Sequence, residues 1–414
     1  MKKQDNLYFT TGNTLLDLVV GGAPGIYGYP AGKFINIVGD KSSGKTFLAS
    51  ELIACAYNKF NKKQFRWVYD DCESGYSFNT KELYGFDIGS FQINSSTIEN
   101  AFVHICNFTE TLKDDQFGIY VLDSLDGLTS DEQDEQAAAR VKAVNAGKNY
   151  DKGSYGMGKP KYLSKEFFPQ LCRVIENKNV LVVIISQVRA NINPFSFEKL
   201  VRSGGKAMDF YAHTVLWLAT LKKIVKKGKP VGTVIKAKTT KSKTPRPFRD
   251  CQFSILFDYG VDNIGSNIDY LYELRTEKGE LTTTKNIKWG SDIKKISVKE
   301  IKQWLLTMPC QKAMKKNKGT TALDHYNSEN DKIKMDSLLE FINSYPVLNI
   351  AYEKEFGIQN ESSYTRDNLI QHIESNNLET ELSEKVIEKW EIMENSVISQ
   401  RKKRYATQPK GETI

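Results

Sequence analysis

The chain reads as an α/β protein: a mostly parallel, doubly wound sheet extended by antiparallel strands and followed by a small helical C-terminal region. Three observations predict it. Apolar strand-like runs alternate with helix-period segments through the first half of the chain. The run Val180 to Ser186 is continuously apolar, which suits a strand buried on both faces of a parallel sheet. A glycine-rich turn over 39–46 joins a strand-like run to a helix-like one.

The elements follow in order. Phe34 to Val38 predicts a strand, and Phe47 to Phe60 a helix, because Leu48, Leu52 and Ala56 recur every four residues on one face. Arg66 to Asp70 is the next strand, placed by this reading beside the first. Ile98 to Leu112 predicts a helix with Ala101, Ile105 and Phe108 on one side. Ile119 to Asp123, Tyr162 to Asn177 and Val180 to Ser186 then read as strand, helix and strand. His213 to Leu221, Thr233 to Ala237 and Gln252 to Phe257 leave no room for helices between them, so they are expected to pair antiparallel. From about Ile293 the composition shifts to lysine, glutamate and asparagine. Ser383 is read there as the cap of a helix with Val386, Trp390 and Met393 on one side, and Asp367 as the cap of one carrying Ile370 and Ile373. Gln311 to Asn330 is a candidate linker, and the tail from Arg401, Lys402, Lys403 and Arg404 to Ile414 is expected to be disordered. The division is a lead segment (1–30), a core (31–260), an extension of the core (261–310) and a helical region with its basic tail (311–414).

A chain of 414 residues holds one large domain and a smaller unit with ample core. Its 58 Lys and Arg against 50 Asp and Glu leave a formal charge of +8, which suits a polyanionic partner. Six scattered cysteines contain no C-x-x-C pair, so a disulfide framework or zinc knuckle is not indicated. No apolar run approaches the ~20 residues of a membrane helix, and no apolar signal core follows Met1. The expectation is a soluble, cytoplasmic protein that engages no membrane.

Gly39, Asp40, Lys41, Ser42, Ser43, Gly44, Lys45 and Thr46 fit the spacing G-x-x-x-x-G-K-[ST]. A strand, a glycine-rich turn and a helix start make an anion cradle, because free backbone N–H groups and the positive helix end point at a phosphate chain. Lys45 is expected to neutralise the outer phosphates and Thr46 to ligate magnesium, which makes ATP and Mg2+ the implied ligands. Asp123 ends an apolar strand, where a carboxylate orients the metal and its water. Asp70, Asp71 and Glu73 follow the second strand; Glu73 has the longest reach and is the chosen water activator, a solvated acidic turn being the plainer reading. Gln187 follows the buried strand and is read as a sensor of the terminal phosphate, or else as a strand-end amide bonded to backbone.

Two segments interleave basic and aromatic residues as a single nucleic acid strand requires, although solvated surface loops have such compositions too. One is Lys148 to Lys161, including Lys152 and Lys159. The other is Arg189 to Gly205, including Phe195, Phe197, Lys199, Arg202 and Gly204. Lys241 and Lys243 lie in the run Lys236 to Arg249, which by composition is a basic surface.

This order of motifs resembles the RecA family of homologous recombinases, including phage members of the UvsX type. Residues 39–46 resemble the family's G-P-E-S-S-G-K-T, residues 69–73 its strand ending in a catalytic glutamate, and residues 120–124 its V-V-D-S. Residues 184–189 resemble I-N-Q-I-R. Residues 203–212 are similar to T-G-G-N-A-L-K-F-Y-A, the run that closes the second DNA-binding loop. The resemblance covers about Thr10 to Val261. It implies a RecA-like P-loop ATPase core in which Lys45 and Thr46 bind phosphate and magnesium, Glu73 activates water, and Asp123 orients the metal. Gln187 couples ATP to DNA by the same resemblance, Lys148 to Lys161 and Val188 to Gly205 form the DNA loops, and Lys241 and Lys243 reach a neighbouring subunit's ATP. Nine residues precede Thr10, so the family's N-terminal polymerisation helix is expected to be absent or reduced.

The function implied is a DNA-dependent ATPase that forms helical filaments on single-stranded DNA, with ATP at the subunit interface, and pairs it with homologous duplex DNA. Loader and single-strand-binding proteins are the further partners. The alternatives are a hexameric helicase of related fold and a nucleotide-gated DNA-binding protein without turnover. A lysine- and asparagine-rich composition suits a phage source.

Overall fold

The computed structural model describes residues 7–22, 25–147, 158–190, 200–202, 205–282, 287–289, 298–308, 321–323, 326, 335–356, 362–399 and 401. It divides into two compact units, residues 1–282 with 373–414, and residues 283–372.

A ten-stranded sheet organises the first unit. In spatial order its main path runs Gly260–Asp262, Asp250–Leu256, Lys229–Ser242, Thr214–Lys226, Lys33–Gly39, Val180–Ala190, Phe117–Asp123, Phe65–Asp71 and Gln92–Ile93. The expected α/β architecture is present, a mixed sheet with its parallel strands on one side. Strand Phe65–Asp71 does not lie beside Lys33–Gly39 as the sequence reading placed it; Val180–Ala190 and Phe117–Asp123 stand between them. Three strand spacings of ~4.8 Å, about 14 Å, separate the two, and the later strands fill the gap that the crossover through helix Lys45–Lys59 leaves. The antiparallel extension also joins differently: Thr214–Lys226 pairs antiparallel with Lys229–Ser242, but parallel with Lys33–Gly39. The short helix Gly205–Tyr211 makes that possible by returning the chain to the start of the sheet.

Burial on both faces explains the apolar runs. In the phosphate-loop strand Ile35 and Ile37 enter the core layer beneath helix Lys45–Lys59, which contributes Leu48, Leu52 and Ala56. Phe34 and Val38 enter the opposite layer with Tyr120, Leu122, Val182, Ile184, Phe168 and Leu171. Alternate side chains therefore serve two helical layers.

Three helices were not legible as amphipathic patterns. Thr14–Gly21 is buried almost all round, so it has no polar face to mark a period; Asn13 caps it by accepting from Leu16 N–H. Asp131–Asn145 has the opposite problem, since none of its residues is buried, and a capping box between Ser130 and Gln133 secures its start. Asn263–Leu271 begins at Asp262, whose carboxylate accepts from Gly265 N–H at 2.8 Å. Tyr162–Asn177 is realised as a π-helical turn, Leu163–Phe167, running into the α-helix Phe168–Ile175.

The last helix, Glu379–Ser396, belongs to the first unit. Leu382 and Val386 are buried, and Trp390 packs near Tyr270 at 6.0 Å between ring centroids. Arg249 forks onto the carboxylate of Glu394, with Nη2 to Oε2 at 2.6 Å, and Lys389 Nζ donates to the carbonyl of Leu271 at 2.9 Å. Ser383 is not its cap. It lies inside the helix with its hydroxyl 3.1 Å from that of Thr14, and Met393 points outward, 54% exposed. Asp367 likewise sits in the first turn of Arg366–Ser375; the amide of Asn368 donates to the Thr365 hydroxyl at 3.2 Å.

In the second unit Ile287–Trp289 pairs antiparallel with Ser362–Tyr364. Helices Val298–Thr307, Met335–Ser344 and Pro346–Phe356 share a core that includes Ile301, Leu305, Leu338, Ile342, Leu348 and Tyr352. No helix among the described residues is long and apolar enough to cross a membrane.

Leu382→Ala removes a fully buried anchor of the terminal helix, a loss of about 2–4 kcal/mol. Amide exchange read by mass spectrometry should speed up across 379–396 while strands 33–39 and 180–190 keep their protection; uniform change throughout would contradict this local docking.

Candidate active site

Four parallel strands bring Gly39, Gln187, Asp123 and Asp71 to one edge of the sheet, and the site is built there. Two glycines shape the cradle. A Cβ on Gly39 would lie 2.3 Å from Ser43 Oγ and 2.8 Å from the Leu218 carbonyl. Gly44 has φ 85°, and its Cβ would meet Ile235 Cδ1 and Ile255 Cδ1 at 2.8 Å. Helix Lys45–Lys59 then starts with no side chain capping its free N–H groups. Asp40, Lys41 and Ser42 are exposed above the turn, and Ser43 Oγ is buried with no hydrogen-bond partner. Lys45 is buried, its Nζ folded back onto the Asp40 carbonyl at 2.8 Å, and burial lowers its pKa against the pull of Asp123 and Glu73. A triphosphate would supply what these groups lack: an anion for the ammonium and helix end, and an acceptor for the stranded hydroxyl.

Asp123 sits opposite. Its Oδ2 accepts from Thr46 Oγ1 at 2.7 Å and from Tyr69 OH at 2.6 Å, and burial raises its pKa. Among the described residues no three His, Cys, Asp or Glu side chains cluster tightly enough to hold a metal by themselves. A magnesium ion suits such a pair, because it keeps several waters and takes phosphate oxygens as ligands beside one or two protein groups. When bound it would neutralise charge on those oxygens.

The three acids at the end of strand Phe65–Asp71 separate by environment. Asp70 is fully buried and accepts from Ser95 N, Ser95 Oγ and Tyr120 OH; Asp71 accepts from Tyr76 N and Gln92 Nε2. Asp71 shapes the turn, while Asp70 ties the strand to Ser95 and Tyr120. Glu73 faces the site, where its Oε1 accepts from Ser124 Oγ and, at 2.7 Å, from Gln187 Nε2. Gly127 permits this approach, since a Cβ there would stand 2.8 Å from the Cys72 carbonyl and 3.2 Å from Glu73 Cγ. Beside the phosphate loop opens a cavity of about 730 Å³ with Phe78, Pro230, Ile255, Phe257 and Lys223 in its walls, a size and polarity that suit a nucleoside.

The family model of the RecA N-terminal domain matches residues 2–262, well over half of the chain. The chain belongs to this family. It is similar to the proteins named RecA of Leptospira meyeri (27% identical over 260 residues, 63% of this chain and 61% of that one) and Ehrlichia ruminantium (26% over 259 residues, 63% and 66%). The RecA of Mycoplasma mycoides is 28% identical over 293 residues, 70% of this chain and 78% of its own. The chain thus spans less than two thirds of the first two relatives' length. All three are bacterial, and they lend no support to the phage source expected from composition.

Against this RecA-family frame the expected DNA residues fall into groups. Lys148, Lys152, Phe195, Phe197, Lys199 and Gly204 lie outside the described residues. Lys161 is exposed, and so is Gly205, which opens helix Gly205–Tyr211. Arg189 is 68% exposed at the foot of a hairpin in which Val188–Ala190 pairs antiparallel with Leu200–Arg202. Arg202 is placed otherwise than expected. Its side chain is 5% exposed and bonds Asn36 Oδ1 and the carboxylate of Asp209, so it anchors the hairpin to the phosphate-loop strand. Lys159 also turns inward, its Nζ donating to the carbonyls of Leu125 and Leu128.

Lys241 and Lys243 donate to carbonyls at the end of helix Gly205–Tyr211: Lys241 to Phe210 and Ala212, Lys243 to Tyr211. Burial, and after it the neighbouring Lys243 charge, lowers the Lys241 pKa to about 8. Asn36 and Asp126 escaped the sequence reading, as did the contact of Ser124 with Glu73. Only the pairing of strands reveals them, although the polar Asn36 inside an apolar strand was a usable signal.

His213, beside these lysines, has its pKa lowered from 6.5 to about 4 by burial, then by Lys33, Lys243 and Lys241. A depressed folded-state value stabilises above the unfolded pKa, and that stability is lost as pH falls from about 6.5 towards 4. The amount is about 3 kcal/mol. His213→Gln should therefore flatten the fall in melting temperature between those pH values; an unchanged profile would exclude His213 as its source.

Proposed function

We propose that this protein is an ATP-dependent DNA recombinase. It binds ATP with Mg2+, polymerises on single-stranded DNA as a helical filament with ATP between subunits, and promotes homologous pairing and strand exchange with duplex DNA. The observation that carries the reading is the 2.7 Å bond from Gln187 Nε2 to Glu73 Oε1. It joins the carboxylate beside the phosphate cradle to a strand that, two residues on, presents Arg189 to solvent.

In this scheme residues 39–46 grip the phosphates, Lys45 and Thr46 face their outer end, and Asp123 orients the metal. Glu73 polarises the attacking water, and Gln187 reports the terminal phosphate to the hairpin that holds DNA. Lys241 and Lys243 reach the neighbouring subunit's ATP in the filament, exchanging carbonyl partners for phosphate. Lys161, Arg189 and Gly205, with the residues at 148, 152, 195, 197, 199 and 204, supply the DNA contacts. Hydrolysis releases the filament. Loader and single-strand-binding proteins are its accessory partners, and the cytoplasm its compartment.

Electron microscopy with single-stranded DNA and a non-hydrolysed ATP analogue should show helical filaments; closed rings would overturn the reading. Glu73→Gln keeps the cradle intact but removes the base, so phosphate release should fall by about 100-fold or more while filaments persist. Normal turnover in this variant would remove Glu73 from the role.

A further inference from the structure

The turn after strand Phe117–Asp123 holds a carboxylate that the scheme above leaves unused. Asp126 is almost fully enclosed, 4% exposed at its side chain, yet both oxygens face strand Val180–Ala190. Oδ2 accepts the backbone N–H of Gln187 at 2.7 Å, and Oδ1 lies 3.4 Å from Arg189 Nη2. The turn itself is clamped: Leu125 N–H donates to the Ile185 carbonyl at 3.0 Å, Lys159 ties the carbonyls of Leu125 and Leu128, and Gly127 packs on the Cys72 carbonyl and the Glu73 side chain. One buried carboxylate thus touches the residue bonded to Glu73 and the exposed cation next to it.

We infer that Asp126 is a positioning residue that couples nucleic acid binding to hydrolysis, by holding Gln187 on Glu73 and by competing with a DNA phosphate for Arg189. This rests on the proposed recombinase function and deepens it. With Arg189 on Asp126, Glu73 Oε1 is occupied by Gln187 and Ser124. That is a resting arrangement. A phosphate that captures Arg189 breaks the pair, frees the strand end to shift, and leaves the Glu73 carboxylate available to water. Lys159, fixed on the turn beside Asp126, keeps the buried charge compensated when Arg189 leaves.

The test uses the full chain, a fluorescent oligothymidylate and phosphate release. Asp126→Asn keeps an acceptor for the Gln187 N–H but removes the competing charge. Nucleotide-free oligonucleotide affinity should rise about threefold to tenfold, the gain from adding ATP should shrink, and DNA-independent hydrolysis should increase. In an Arg189→Gln background the same substitution should leave affinity unchanged. Wild-type affinity and DNA stimulation in Asp126→Asn, or an equal effect in both backgrounds, would overturn the coupling. Thermal melting checks that the variant folds; if it does not, Arg189→Gln on its exposed side chain decides. It should weaken oligonucleotide binding, flatten the salt dependence by about one phosphate contact and raise DNA-free hydrolysis, and unchanged DNA-free hydrolysis would refute the proposal. Wild-type protein that neither binds oligonucleotide nor hydrolyses ATP would instead defeat the recombinase reading itself.

Discussion

Parallel pairing of Lys33–Gly39, Val180–Ala190, Phe117–Asp123 and Phe65–Asp71 is the constraint on which the rest of this molecule depends. Strands that run the same way end on the same side, so residues far apart in the chain converge at one crevice. The phosphate cradle, the Asp123–Thr46 pair and the Glu73–Gln187 bond are three products of that alignment. A one-residue slip would turn Asp123 away from Thr46 and put Leu122 in its place.

Polar groups within this apolar frame form two hydrogen-bonded clusters along strand Val180–Ala190. Asn36 in the central strand donates to the Ile184 carbonyl and Ser186 and accepts from Arg202, while Asp126 holds Gln187 and Arg189. Such groups are stable only because each has a partner. The same dependence makes them responsive, since removing one partner disturbs the next. The second basic segment is therefore tied at Arg202 to the phosphate-loop strand and at Arg189 to the turn after Phe117–Asp123.

Much of this was readable beforehand. The cradle, its helix and the buried strand Val180–Ser186 announce themselves through local pattern, and the strand-end position of Asp123 follows from where its apolar run stops, whereas the strand of Gln187 continues to Ala190. Three kinds of feature escaped. Helix Thr14–Gly21 is too buried and Asp131–Asn145 too exposed to show a period. The order of strands was misjudged next to Lys33–Gly39, because crossovers skip positions that later strands occupy. Arg202 and Lys159 looked like DNA contacts by charge, but one is buried on Asn36 and Asp209 and the other on two carbonyls.

By itself the sequence determined the local chemistry: a glycine turn of the right spacing, a lysine and a threonine at the helix start behind it, and alternation of strand and helix strong enough to select an α/β core. These are decided by neighbours within a few residues, through steric freedom, periodicity and side-chain type. Tertiary structure decided which distant groups meet: Glu73 with Gln187, Asp126 with Arg189, Arg249 with Glu394, and which basic side chains reach solvent. Those choices arise from strand order and burial, and only the packed chain sets them because they balance the desolvation of each charge against a partner contributed from elsewhere in the fold.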